Sequence, residues 1–123
     1  MLMLLLSMAS AVNMKLSFTD SAITFHFDTT QRCYTISHCF DDQSVNAEWS
    51  GLPDPSQLAF YSDNDCKGDV IHVALTRGKI NFKGGFLYNK VSSFMVREYS
   101  MYPVNGIVNY CHEISLFNAT GNV

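Results

Sequence analysis

Two residue types in this chain could carry covalent or metal chemistry, histidine and cysteine. The histidines are His26, His38, His72 and His112; the cysteines are Cys33, Cys39, Cys66 and Cys111. His38–Cys39 and Cys111–His112 are neighbours, and an imidazole beside a thiolate is the pairing that activates a cysteine nucleophile. A nucleophile must be a free thiol, however. An even set of cysteines with no C-x-x-C pair suits two disulfides in an oxidising compartment better than a zinc ribbon or a thioredoxin-type site. The local signatures of a serine hydrolase (G-x-S-x-G), a zinc protease (H-E-x-x-H) and a phosphate-binding glycine loop are absent from the sequence. A hydrolase would need His, Ser and a carboxylate to be brought together by the fold alone. The residues point to a protein that is not an enzyme.

The elements that would position these residues read as strands. Leu58, Phe60 and Ser62 alternate with Ala59 and Tyr61, a period of two. The cluster Asp63-Asn64-Asp65 then suits a tight turn, because short polar side chains bond their own backbone there. Gly68 follows, a residue free to take positive φ. A second strand reads D-V-I-H-V-A-L from Asp69 to Leu75.

Tyr61, four residues, Cys66, one residue, Gly68 resembles the Greek-key signature of the βγ-crystallin superfamily, in which an aromatic usually stands where Cys66 does. Val91-Ser92-Ser93-Phe94-Met95-Val96 resembles the family's closing strand, with Ser93 in the place of the family serine. A degenerate first copy is expected upstream. Ile23 to Thr29 would be its first strand, with His26 in the place of Tyr61. Arg32 to Ser37 would be its second strand, and Ser44 to Gly51 its closing strand, with Ala47 in the place of the serine. The resemblance implies an all-β, two-motif Greek-key β-sandwich, βγ-crystallin-like, over roughly residues 22–99, with an added C-terminal strand.

The same family includes members that bind Ca2+ through N/D-N/D-x-x-S/T-S, one copy per motif. Here Asn89, Ser92 and Ser93 match in Tyr88 to Ser93, and in the first copy only Asp42 clearly does. Asp42, Asn89 and Ser92 are thus the candidate calcium ligands. Hard cations need several oxygens, and Lys90 inside the loop opposes a cation. The favoured expectation is that Ca2+ is possible but not a resident cofactor, and that Ser93 bonds backbone to hold a folded hairpin.

The chain has 123 residues and a formal charge of −3, one domain's length and no electrostatic footprint for nucleic acid. The charge is uneven: residues 70–123 hold two acids against five bases, all between Arg77 and Arg97. Arg77, Lys79, Lys83 and Lys90 are a solvated face or a basic patch for an anionic partner. Met1 to Ala9 is apolar and too short to span a bilayer, and Ala9-Ser10-Ala11 is a small-x-small cleavage pattern. We read residues 1–11 as a secretory signal peptide and 12–123 as one domain. Asn118-Ala119-Thr120 is a glycosylation sequon.

Val12 to Ser21 reads as a polar lead-in, and Gly51 to Ser56 as a linker between the two keys. Trp49 just before that linker reads as core. Strands are expected near 22–28, 32–38, 44–50, 57–62, 69–75, 79–82, 91–98 and 106–116. Four cysteines allow three pairings. The expected one is Cys33–Cys39, closing a hairpin end, with Cys66–Cys111, tying the tail strand to the turn that has lost its aromatic. The functional expectation is a secreted, non-catalytic extracellular binding module whose partner is an extracellular protein or cell-surface component. The resemblance implies a toxin, inhibitor or host-interaction role, since killer toxins and proteinase inhibitors occur among small secreted members. The alternative is a calcium-binding structural or stress protein.

Overall fold

The computed structural model describes residues 13–40 and 43–111. Nearly all of their regular structure is strand: β1 Met14–Phe18, β2 Ile23–Phe27, β3 Cys33–Thr35, β4 Asn46–Ser50, β5 Gln57–Asp63, β6 Lys67–Val73, β7 Gly78–Asn81, β8 Ser93–Arg97 and β9 Ile107–Asn109. A 3-10 turn at Thr19–Ser21 joins β1 to β2.

Two sheets face each other, with strand orders β2-β1-β4-β7 and β6-β5-β8-β3-β9. Each sheet takes all but one of its strands from one half of the chain and borrows one from the other. β7 of the second half completes the first sheet, and β3 of the first half sits beside β8 in the second. This is a two-motif Greek-key β-sandwich, as the sequence implies. The added C-terminal strand also exists, but ends early: β9 runs parallel to β3 at the sheet edge over Ile107–Asn109, and Tyr110 and Cys111, inside the expected 106–116, have left the strand.

The registers expose a pseudo-twofold. Phe18 lies opposite Ala47 as Phe60 lies opposite Phe94, and Leu16 opposite Trp49 as Leu58 opposite Val96. Leu16, Phe18, Leu58 and Phe60 all point into the core and are fully buried. Around them Phe25, Phe40 and Phe94 close an aromatic interior, with the Phe18 and Phe40 rings 4.1 Å apart. Trp49 is core, its indole N–H donating to the Leu75 carbonyl at 2.9 Å.

The first key differs from the sequence expectation in one respect that shifts everything after it. Residues 14–18, expected to be polar lead-in, form β1, an inner strand of the first sheet. The opening strand of the first key is therefore β1, Ile23–Phe27 is its second strand, and Cys33–Thr35 its third. His26 does not stand in the place of Tyr61. Nor does Ala47 replace the serine: Asn46 faces Asn81 of β7 as Ser93 faces Thr35 of β3, so Asn46 is the counterpart. Ala47 points into the core instead and is 1% exposed.

The disulfides also differ. Cys33 bonds Cys66 and Cys39 bonds Cys111, across 33 and 72 residues of chain. The expected hairpin-closing pair Cys33–Cys39 fails because β3 leaves its own key to pair with β8. That exchange brings Cys33 under the β5–β6 turn, where Cys66 lies. The tail is tied down through Cys111, as expected, but to the first key. In the chain-entropy description, loops of these lengths stabilise the fold by about 4 kcal/mol each.

Candidate binding surfaces

The β5–β6 turn folds over the outer face of its sheet. Asp65 and Cys66 both take left-handed φ, 63° and 57°. Gly68 has φ 83°, and a Cβ there would collide with Ser62 and Asp63. The turn is fastened by Ser93, whose hydroxyl donates to the Asp63 carbonyl at 2.6 Å and accepts from the Cys66 N–H at 2.9 Å. Thr35 adds a second tie, accepting from the Asp65 N–H at 2.9 Å. Beneath it Ala59, Tyr61 and Met95 are buried together. The Tyr61 hydroxyl is buried without a well-aligned hydrogen bond, the Arg97 guanidinium being the polar group beside it. Burial pushes its phenol above the ordinary tyrosine value, and the nearby Arg97 guanidinium offsets only part of that.

Among the described residues singled out for chemistry, only His26 lies in a cleft with both a carboxylate and a serine, Asp28 and Ser50, and no hydrogen bond joins their side chains. All four thiols are in disulfides, which removes a cysteine nucleophile. His26 is exposed on β2, His38 lies near Asn109, and His72 is exposed on β6; His112 is outside the described residues. No three His, Cys, Asp or Glu side chains group as a metal site among the described residues.

Of the calcium candidates, Asp42 is outside the described residues. Asn89 has left-handed φ, 57°, and its N–H donates to the Ser44 carbonyl at 2.7 Å. Both backbone polar groups of Ser92 serve strand contacts, its N–H to the Tyr61 carbonyl and its carbonyl to the Ile36 N–H. Buried Ser44 occupies the space between the loops: its hydroxyl donates to the Leu87 carbonyl and accepts from the Val91 N–H, both at 3.1 Å. Lys90 is exposed beside them.

The four bases of the candidate patch are all exposed. Arg77 and Lys79 line a shallow depression on the outer face of the first sheet, together with Lys15, Glu48 and Ser50. Lys83 and Lys90 are on the loops at the other end of β7. A larger open cleft of about 680 Å³ lies where β2 approaches β9, lined by Lys15, His26, Asp28, Arg32, Ser50 and Tyr110. The Tyr110 hydroxyl spans the two sheets there, donating to the His26 carbonyl at 2.6 Å and accepting from its N–H at 3.0 Å.

The surface that sequence reasoning passed over is the β8–β9 connection, residues 98–106. It is organised by one buried side chain, Gln31, which is itself 0% exposed with φ 56°. Its amide oxygen accepts from the N–H groups of Glu98, Tyr99 and Ser100 at 2.5, 3.0 and 3.2 Å. Its amide nitrogen donates to the carbonyls of Ser100 and Tyr102 at 3.1 and 2.9 Å. Apart from the Met101 N–H, the remaining donors are met: Tyr102 N–H by the Ser100 hydroxyl, Val104 N–H by the Tyr102 carbonyl, Asn105 N–H by the Gln31 carbonyl, and Gly106 N–H by the Pro103 carbonyl. Arg32 and Asn105 pin the far end. On this fixed backbone Tyr99, Met101, Tyr102 and Val104 stand 71, 68, 69 and 57% exposed. A run of Tyr, Met, Tyr and Val in a loop was the available signal; its anchor, one Gln far upstream, gave none.

No helix among the described residues is long and apolar enough to cross a membrane. No family model and no curated protein matches the chain. Among solved structures, the N-terminal domain of protein S, a βγ-crystallin-family member, is similar to it at 17% identity, with a TM-score of 0.46 over 71% of this chain and 97% of that one.

Proposed function

We propose that this protein is a non-catalytic extracellular binding module, and that the 98–106 loop is its recognition surface. The observation that carries the reading is the Gln31 anchor. Exposed large apolar groups are costly for a monomer unless they meet something, and a loop fixed before it binds loses less entropy on binding. Tyrosines held on a rigid loop are favoured contact residues, giving large area with few rotatable bonds. Two disulfides on a small sandwich suit an oxidising compartment. His26, Asp28 and Ser50 line one open cleft, but no hydrogen bond joins their side chains, which supports a role in binding rather than turnover.

The test is affinity capture from the extracellular fraction with the oxidised protein, beside a Tyr99→Ser/Met101→Ser/Tyr102→Ser variant of matched melting temperature. Partners retained by the parent and lost by the variant are expected. Equal capture by both, or turnover of a hydrolase substrate panel, would overturn the reading.

A further inference from the structure

We infer that the 98–106 loop docks on a lipid–water interface of zwitterionic headgroups, an assignment that rests on the loop being the recognition surface. Three observations select this partner. First, the segment from Tyr99 to Cys111 contains no Asp, Glu, Lys, Arg or His. Its charged neighbours are engaged already, Glu98 by the Thr30 hydroxyl, Arg97 by Gln57 and Arg32 by the Asn105 carbonyl. Such a surface offers nothing to a charged partner and matches one with no net charge.

Second, the backbone donors of the loop are satisfied from within. Every N–H from Glu98 to Gly106 except that of Met101 has a partner, and Pro103 has none to satisfy. Protein interfaces commonly carry about one hydrogen bond per 100–200 Å², with Arg enriched. A loop whose donors are consumed is poorly equipped for that pattern. It can, however, leave water with all but one of its backbone N–H groups already paired, which lowers the cost of entering an apolar phase.

Third, the side chains are graded as an interface requires. Met101 and Val104 are apolar, while Tyr99 and Tyr102 are largely exposed and their hydroxyls have no hydrogen-bond partner among the described residues. Tyrosine at such positions keeps its ring in the hydrocarbon boundary and its hydroxyl among headgroups.

The experiment uses the oxidised protein and sucrose-loaded phosphatidylcholine vesicles, read by cosedimentation. The protein is expected to sediment with the vesicles, with a bound fraction unchanged between about 0.05 and 0.5 M salt, since no ion pairing is involved. Tyr99→Ser/Met101→Ser/Tyr102→Ser is expected to lower the partition coefficient at least about tenfold, three exposed side chains supplying the buried apolar area. Arg77→Gln/Lys79→Gln is expected to leave it unchanged. Failure to sediment with phosphatidylcholine overturns the lipid assignment. So does sedimentation only with phosphatidylserine vesicles that salt abolishes, which would move the contact to Arg77 and Lys79. If vesicles fail but the triple variant still loses its captured extracellular partners, the binding-module reading stands with a protein as the partner.

Discussion

The amide nitrogen of Gln31 donates to the carbonyl of Tyr102 across 71 residues of sequence, at 2.9 Å, and so fixes the loop from the inside. Replacing Gln31 by Leu leaves buried carbonyls and N–H groups unpartnered at once. The expected cost is about 3 kcal/mol or more, the range in which broken buried networks fall. Gln31→Glu keeps an acceptor for the Glu98, Tyr99 and Ser100 amides but loses both donors, so it should be intermediate. Denaturant melts and exchange rates of those three amides check the order.

Ser93→Ala removes the hydroxyl that links Asp63 to Cys66. It should cost about 1–3 kcal/mol, since the Cys66 N–H loses its acceptor in a part-buried site. Ser44→Ala should cost a similar amount at the opposite hairpin. Thermal melts of both variants, oxidised, provide the comparison.

Tyr61→Phe should do the reverse. Its hydroxyl is buried without a well-aligned hydrogen bond, Arg97 alone lying beside it, so deleting it removes a desolvated polar group and leaves the ring in place. A gain of up to about 1 kcal/mol is expected. A loss of stability would mean that the hydroxyl has an acceptor or donor in solution.

Alkaline pH should unfold the protein earlier than a surface-tyrosine protein. Burial raises the Tyr34 phenol above 10.0, the Thr29 contacts and Arg32 charge offsetting only part, and burial raises Tyr61 likewise. The folded state then holds these protons more tightly than the unfolded state. Their contribution is fully present below the ordinary tyrosine value and is lost as pH rises through the folded values. A melting series from neutrality to beyond pH 10.0 should show that decline, and it should be shallower in Tyr34→Phe/Tyr61→Phe.

Calcium should move stability little. Ser44 already bridges the two loops, and Lys90 stands beside Asn89. Melts in EDTA and in millimolar Ca2+ should agree to within about two degrees, as expected for an ion held no tighter than its own concentration. A rise of about ten degrees would instead establish a structural ion.

The second key was legible in the sequence because its signals are local. Leu58 to Gly68 alternates, turns and supplies the glycine that positive φ demands, and Val91 to Val96 follows in order. The first key was legible only in part. Met14, Leu16 and Phe18 alternate with Lys15 and Ser17, but five residues beside a Thr-Asp-Ser turn look like a polar lead. The usable clue was the repeat of Leu-Ser-Phe at 16–18 in Leu-Ala-Phe at 58–60. The disulfides were out of reach for a different reason. Cys33 and Cys66 meet only because β3 changes sheets, a consequence of topology that no spacing encodes. Gln31 is harder still: a polar residue between two loops reads as solvent-facing, and its burial depends on a loop made nearly seventy residues later.

The exchange of β3 and β7 has a consequence for how the chain must be made. On a ribosome the first key emerges first, yet its sheet lacks β7 until residue 81 has been synthesised, and its β3 has nothing to pair with until β8 exists. Neither half is a folding unit, and the late, long-range pairings that complete both sheets are the slow kind. While β3 waits, the β8 of a neighbouring chain is as good a partner as its own. Crowded refolding should therefore yield exchanged dimers, two chains each completing the other's sheets. Closure of Cys33–Cys66 within one chain ends that choice, which makes the timing of oxidation, relative to release of the second key, the step that decides between monomer and exchanged pair.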